Sequence, residues 1–587
     1  MSHYSLVIRN GTVFDGTGSS PVQADVGVRE GAVITIGRIE PGSGEREIDA
    51  TGKWVIPGMI DVHTHYDAEV LGSPGLGESV RHGVTSVVLG NCSLSTVYAD
   101  AEDCADLFAR VEALPWDAVH SAVKEHKSWS GPQSYVDAIN ARPLGANVAA
   151  FLGHSDIRAA VMGLGRATDA EQKPSTAELA RMTGMLTEAL DAGFLGLSTI
   201  RSSFSKLEGS RWPARLLPST YASWREYATL NEVLRTRGRI HQSTPNLAKR
   251  SEMARYFVQS MGRKRKPLKT TVISAADVKA DRSVVRIAIA AARIVNKLGG
   301  DGFRWQHLPV PFEVYADGID VVVFEEFGSG AAALNIRDVI ARGDLLADES
   351  FRRRFRKDMT KKFGFKVWHR DLHDAEIVSC PDTTVVGRSF GAIADERGIE
   401  PVDALLDLAV AHGTDLRWRT TIANDRDDVL DELQQSEVVQ VGFADSGAHL
   451  RNMAFYNFGV RMLERVHARK FMPVETAVHR LTGELADWYG IDAGHLTLGS
   501  RADLAVIDPT GFDGSSGAYA EAPMPGLDGI DRMVNRNDRV VAATVVAGHV
   551  LYENGAFAEG FGTTVHAGKF LPADQSRVRE DRLRILF

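Results

Sequence analysis

The segment PGMIDVHTHYD carries His63 and His65 one residue apart, directly after an apolar run from Trp54 to Ile60. Along a β-strand, residues i and i+2 project to the same face, so both imidazoles lie on one side of a strand end. Three further residues close apolar runs in the same way: Cys92 after TSVVLGN, His241 after GRI and Asp445 after VVQVGFA. Two imidazoles beside a thiolate and a carboxylate form a transition-metal site, and zinc suits mixed nitrogen, sulfur and oxygen ligands. Each residue alone also has a plainer reading. An isolated H-x-H is weak evidence, a lone cysteine is often a small buried hydrophobe, a lone histidine sits in a core or on a surface, and Asp445 in ADSGAH could serve only as a helix N-cap. Shared placement at strand ends favours the ligand reading.

The elements that would position these residues alternate between helix and strand. Ser175 and Glu178 have capping-box spacing, and Leu179, Met182, Leu186 and Leu190 recur at helical intervals up to Gly193, where FLGLST follows as a buried strand. A second helix spans about Tyr221 to Arg237, stops at Gly238 and leads into RIHQS. SEVVQVGFADSGAH is another apolar strand opening into a polar turn. Nearly continuous apolar strands alternating with helices predict an α/β fold with a parallel sheet covered on both faces. Eight such units close a (β/α)8 TIM barrel, whose chemistry sits where strands end. The stretch from about 280 to 380 is irregular and charged, with FRRRFRKDMTKK inside it, and reads as an insertion or lid. Both chain ends are β-rich, with hairpin signals at Asn10-Gly11, Glu30-Gly31 and Asn554-Gly555 and a turn at Gly548. The ends are expected to pair into one small sheet domain.

Composition narrows the function. A formal net charge of -9 over 587 residues leaves no basic face for nucleic acid, and the run Gly262–Lys266 (GRKRK) reads as a solvated surface loop. No uncharged apolar run approaches the ~20 residues of a membrane helix. The first residues, MSHYSLVIRNGTVFDG, lack the basic and apolar regions of a signal peptide. Three cysteines, Cys92, Cys104 and Cys380, make no disulfide framework. The expected address is the cytoplasm. The sequence leaves open whether the chain forms a homo-oligomer.

Five segments in order resemble the amidohydrolase superfamily and, within it, the N-acyl-D-amino-acid deacylase (D-aminoacylase) family. These are VIPGMIDVHTHYDAEV, GVTSVVLGNCSLS, NVAAFLGHSDIRAAVMG with GFLGLST, FADSGAHL, and ETAVHRLTGELADWYG with LTLGSRADLAVID. The resemblance implies a zinc-bearing (β/α)8 barrel at about 57–490, with the insertion inside it, and a urease-like β-sandwich built from 1–56 and 491–587. It implies that His63 and His65 bind one metal position, that Cys92 bridges two positions, that His241 serves the second, and that Asp445 is both ligand and general base. The sequence departs from the family where a histidine follows the next strand: Val272–Asp277 reads VISAAD. The site is then mononuclear or completed otherwise, by His307 or a water, and the substrate need not be a simple N-acyl-D-amino acid.

On this reading a metal-activated water attacks an acyl carbonyl, and Asp445 takes its proton and returns one to the leaving amine. His154 is a candidate oxyanion donor or a structural histidine. His449 is assigned to support of the ligands. Arg201 and Arg451 are candidates to meet a substrate carboxylate, Lys279 stands nearest to the family's carboxylate-binding lysine, and Tyr221 lines the pocket or the core. The expected partner is a small acylated substrate, with a cyclic amide, ester or carbamate as the alternative and a non-catalytic binding barrel as the third reading.

Overall fold

The computed structural model describes residues 3–246, 249–262, 265–361, 366–526 and 530–573. Arg263 and Lys264 of the basic run, Lys362 and the tail from residue 574 lie outside the described residues. The centre of the fold consists of parallel strands in chain order: β1 Met59–Asp61, β2 Val84–Leu89, β3 Asn147–Ala150, β4 Gly196–Ile200, β5 Ile240–Thr244, β6 Lys269–Val272, β7 Phe303–His307 and β8 Val439–Val441. β1 pairs β2 and β2 pairs β3. The extension of β3, Leu152–Gly153, pairs β4, and pairing continues in order from β4 to β8. Beyond β8, Phe443–Ser446 runs parallel to His63–Thr64, and Val62 N–H donates to the Gly442 carbonyl at 2.8 Å. These strands are buried on both faces, as expected where helices cover them.

The covering helices follow from local signals. Ser175 caps Thr176–Asp191 in a full capping box with Glu178. The helix predicted from Tyr221 begins at Trp224, because Ser223 accepts from Glu226 N–H and Pro218–Tyr221 forms a 3-10 turn; Gly238 ends it in the left-handed region. The excursion also differs from the predicted 280–380. Residues Val284–Gly299 are an ordinary covering helix between β6 and β7. The excursion lies after His307, where Phe312–Asp317, Arg417–Ala423 and Glu376–Ser379 form an antiparallel sheet. It has its own aromatic core, in which the rings of Phe324, Trp368 and Trp418 pack against one another at tilted angles.

Both chain ends join in one nine-stranded sheet. Trp54–Pro57 pairs antiparallel with Leu504–Ile507, and Gly58 N–H donates to Asp503 O at 2.9 Å just before β1. Glu30-Gly31 and Asn554-Gly555 turn hairpins, both residues of each pair having positive φ. Asn10-Gly11 does not turn: the strand Tyr4–Val13 runs through it with a register shift, because Asn10 at φ +57 bulges and bonds Asp25 Oδ1 through its N–H. A C-terminal hairpin, Tyr519–Pro523 with Asp531–Asn535, leaves this sheet to brace the turn after Asp445. There Met533 N–H donates to Leu450 O, and buried Arg532 pairs with Glu69 at 2.9 Å. Among the described residues no helix is long and apolar enough to cross a membrane.

Candidate metal centre

His63 and His65 are fully buried where β1 ends. Donor atoms of His63, His65 and Cys92 lie within 4.8 Å of one another. Cys92 Sγ is 3.3 Å from His63 Nε2. Asp445 Oδ1 is 3.2 Å from His65 Nε2 and 3.7 Å from His63 Nε2. Both imidazoles present Nε2 inward because their other nitrogens face acceptors. His63 Nδ1 is 2.7 Å from Gln306 Oε1, and His65 Nδ1 is 3.2 Å from Glu112 Oε1. With Nδ1 carrying the proton, each Nε2 offers a lone pair. Two imidazole nitrogens, a sulfur and a carboxylate oxygen at these separations suit one tetrahedral ion.

Tight backbone turns deliver the two ligands that are not on β1. After β2, Gly90, Cys92 and Ser93 all have positive φ, so the chain kinks and turns the thiol inward. A Cβ on Gly90 would meet the Phe151 carbonyl oxygen at 2.0 Å, which leaves room only for glycine. The Cys92 and Ser93 N–H groups are received by Gln242 Oε1 and Ser198 Oγ. Buried Asp156 gathers the following loop by accepting from Ser95 Oγ and the N–H groups of Val97, Tyr98 and Ala99. Asp445 also sits at positive φ. Its neighbour Ser446 donates to Asp61 Oδ2 at 2.8 Å, which ties the turn back to β1.

Burial dominates the electrostatics. It pushes His63 down to about 4 and Asp61 up to about 8, and it raises the Cys92 thiol. Burial opposes the charge on Asp445, but the hydrogen bond and charge of His65 outweigh it and hold the carboxyl well below the usual range. Burial likewise opposes a charge on His65, but Glu112, Asp445 and Cys92 raise it well above an ordinary histidine. Burial also pushes Glu112 up, to about 8, with the charge of His65 opposing it. Any ion must displace whatever proton His65 Nε2 carries. A cavity of about 750 Å³ opens over His65, Cys92 and Asp445, and His449 and Glu112 also line it. A wing of the excursion, including Asp320 and Arg342, forms one wall.

The other sequence candidates fall elsewhere. His241 does not reach the cluster. On β5, Gln242 and Thr244 point to Cys92, whereas His241 and Ser243 take the opposite face, where His241 Nε2 is 2.9 Å from Thr199 Oγ1 and Ser243 bonds Tyr256. His307 likewise shares the outer face of β7 with Trp305 and has its Nδ1 2.6 Å from Ala275 O. His154 is buried against Ser219 and Glu226, beside Arg158. Arg201 pairs with Glu252 and stacks over Trp224, and Tyr221 OH accepts from Leu216 N–H. Lys279 pairs with Asp374, and Arg451 with Asp317 and Glu521. His449 stays close, its Nε2 3.9 Å from Asp445 Oδ2. Sequence reasoning missed Gln306, Thr244 and Glu112. The first two are inward strand-end residues, the same signal that found the ligands, while Glu112 sits in a loop without periodicity.

No protein-family model matches the chain. It is 51% identical over 587 residues to an uncharacterized protein of Mycobacterium tuberculosis, covering 97% of this chain and 96% of that one. Over 196 residues it is 35% identical to an N-acyl-D-glutamate deacylase of Alcaligenes xylosoxydans xylosoxydans, which covers 33% of this chain and 36% of that enzyme. Among solved structures, a D-aminoacylase with a binuclear metal centre matches at TM-score 0.61 and 21% identity, covering 97% of this chain and 99% of that one. The N-acyl-D-glutamate deacylase of Bordetella bronchiseptica, complexed with zinc and a phosphonate mimic of the tetrahedral intermediate, matches at TM-score 0.60 and 22% identity over 97% and 100% of the two chains. At such identities the two structures show a common fold.

Proposed function

We propose that the chain is an amidohydrolase of the D-aminoacylase kind, a hydrolase which removes the acyl group from an N-acylated amine, with N-acyl-D-amino acids the first class to test; its likeness to an N-acyl-D-glutamate deacylase over a third of its length and the fold it shares with D-aminoacylase support this reading. The observation that carries this reading is the convergence of His63 Nε2, His65 Nε2, Cys92 Sγ and Asp445 Oδ1 on one point beneath an open cavity. We read the parallel strands as a (β/α)8 barrel over about 57–490 and the nine-stranded sheet as the core of a β-sandwich from both ends. The cytoplasm is the proposed address.

The donor set fits one zinc ion, held by His63, His65, Cys92 and Asp445, while His241, the expected ligand of a second ion, stands on the opposite face of β5. Bound there, such an ion would supply polarisation of the scissile carbonyl and a lowered pKa for water. The chain's own residues do the rest. Gln306 keeps the His63 lone pair aimed inward. Asp445, ionised and at the cavity floor, accepts the proton of the attacking water and passes a proton to the departing nitrogen.

A second reading has its own support. Lys279, Arg201 and Arg451, the cations expected to meet a substrate carboxylate, are engaged by Asp374, Glu252, Asp317 and Glu521. That favours a substrate whose leaving group carries no carboxylate: a neutral acyl amide, a cyclic amide, an ester or a carbamate. The deciding experiment is hydrolysis by zinc-loaded protein of paired D and L N-acyl amino acids against neutral amide, hydantoin-type, ester and carbamate controls. Turnover of the D-amino acid series at a higher kcat/KM than all controls supports the first reading; no turnover of any amide, ester or carbamate overturns both.

A further inference from the structure

Glu112 is the one buried carboxylate at the cavity floor that the proposed chemistry does not use. It sits in the loop between helices Ala101–Phe108 and Trp116–His126, fixed by its own N–H to Phe108 O. Its side chain is 2% exposed, and its Oε1 stands 3.2 Å from His65 Nδ1. Neither atom hydrogen-bonds to any other group, and the ring is out of line for a full bond between the two. Two orphaned polar atoms facing each other under a cavity are poised for a small rotation of the imidazole, and catalytic contacts commonly tighten only in the loaded state. The Glu112 carbonyl meanwhile accepts from His449 N–H at 2.5 Å, in the turn that carries Asp445.

We propose that Glu112 is a positioning residue of the metal centre: its carboxyl oxygen accepts a hydrogen bond from His65 Nδ1–H, fixes the tautomer that aims Nε2 inward and strengthens that nitrogen as a donor. The proposal rests on the one-ion reading above. The two histidines are then held unequally, His63 by an amide oxygen and His65 by a carboxyl oxygen. The same short loop places Arg110, Val111 and Ala113 on the cavity wall. Arg110 is anchored across the mouth to Glu325, with Nε at 3.1 Å. A substrate seated against that wall therefore touches the segment that orients His65.

The test compares the parent protein with Glu112→Gln and Glu112→Ala, each stripped of metal and reloaded with Zn²⁺ against a competing chelator, and with Co²⁺ to read the thiolate charge-transfer and ligand-field bands. The alanine variant is expected to bind Zn²⁺ about 10–100-fold more weakly, the glutamine variant less so because it retains an acceptor, and all three to share band positions. Thermal unfolding of the metal-free proteins shows that the fold is intact. Unchanged affinity in both variants overturns the proposal. A shifted ligand-field band in Glu112→Gln overturns it too, since Glu112 would then be a ligand itself. A parent protein that takes up no ion overturns the one-ion reading and this inference together, whereas the first two outcomes leave that reading standing.

Discussion

Thr244 Oγ1 lies 3.1 Å from the Cys92 sulfur, closer than His63 Nε2 at 3.3 Å. It comes from the inward face of β5, where a donor to a second ion would have to stand. A hydroxyl can hydrogen-bond to a thiolate but is a poor zinc ligand. Elemental analysis of protein dialysed against excess zinc should therefore find one ion per chain, and Thr244→Ala should leave that number unchanged. Two equivalents in the parent would contradict the one-ion centre.

Asp445 combines ionisation with a position over the site. Asp445→Asn keeps the shape and removes the base. Turnover at saturating zinc is expected to fall by about 10²–10⁴. Stopped assays paired with metal content separate loss of the proton acceptor from loss of the ion; a variant that holds zinc and keeps parental kcat would dismiss the assigned role.

His241 faces away from the centre, so His241→Gln should leave zinc affinity at the parental level. The buried Thr199 hydroxyl would lose or rearrange its partner, at a cost of about 1–3 kcal/mol. Chelator competition and thermal melts read the two effects independently. A large fall in zinc affinity with an unaltered melt would restore His241 to the ligand set.

An acid-labile brace stands beside β4. Burial opposes the Glu226 charge, but His154 and Arg158 prevail and bring the carboxyl down to about 2. Burial lowers His154 itself, so near neutral pH its ring is uncharged and Arg158, at 2.6 Å, supplies the cation. A depressed carboxyl binds its proton sooner in the unfolded chain. Its contribution, at most about 3 kcal/mol, is thus complete above pH ~4.5 and fades as pH falls towards 2. Unfolding temperatures measured across that window should drop in the parent more steeply than in Glu226→Gln; parallel curves would exclude the mechanism.

Much of the centre was legible because strand ends in a parallel sheet concentrate polar residues. His63 and His65 are separated by the strand period, and Cys92 and Asp445 each close an apolar run, so their convergence could be read directly. His241 misled because IHQST is polar at nearly every position: alternation is present, but its phase is invisible until the fold shows that Gln242 and Thr244 take the inward side. Gln306 was hidden by the same ambiguity in FRWQH. Glu112 depends on the path of a loop, which no periodicity encodes. Val284–Gly299 read as irregular because its outer face mixes Arg286 and Arg293 with exposed Ile287 and Ile294, so the sheet-and-helix excursion was placed too early. Asn10-Gly11 supplied a turn signal that the surrounding strand pairing overrode.

The strand Trp54–Pro57, which ends six residues before His63, has its partner at Leu504–Ile507. A ribosome working at ~5–20 residues per second needs tens of seconds to supply that partner. Throughout this delay an apolar strand edge stands uncovered beside the nascent centre, a surface open to wrong pairing. Metal capture is accordingly a late event in the life of each new molecule, and yields from fast expression should suffer more than those from slow expression at low temperature.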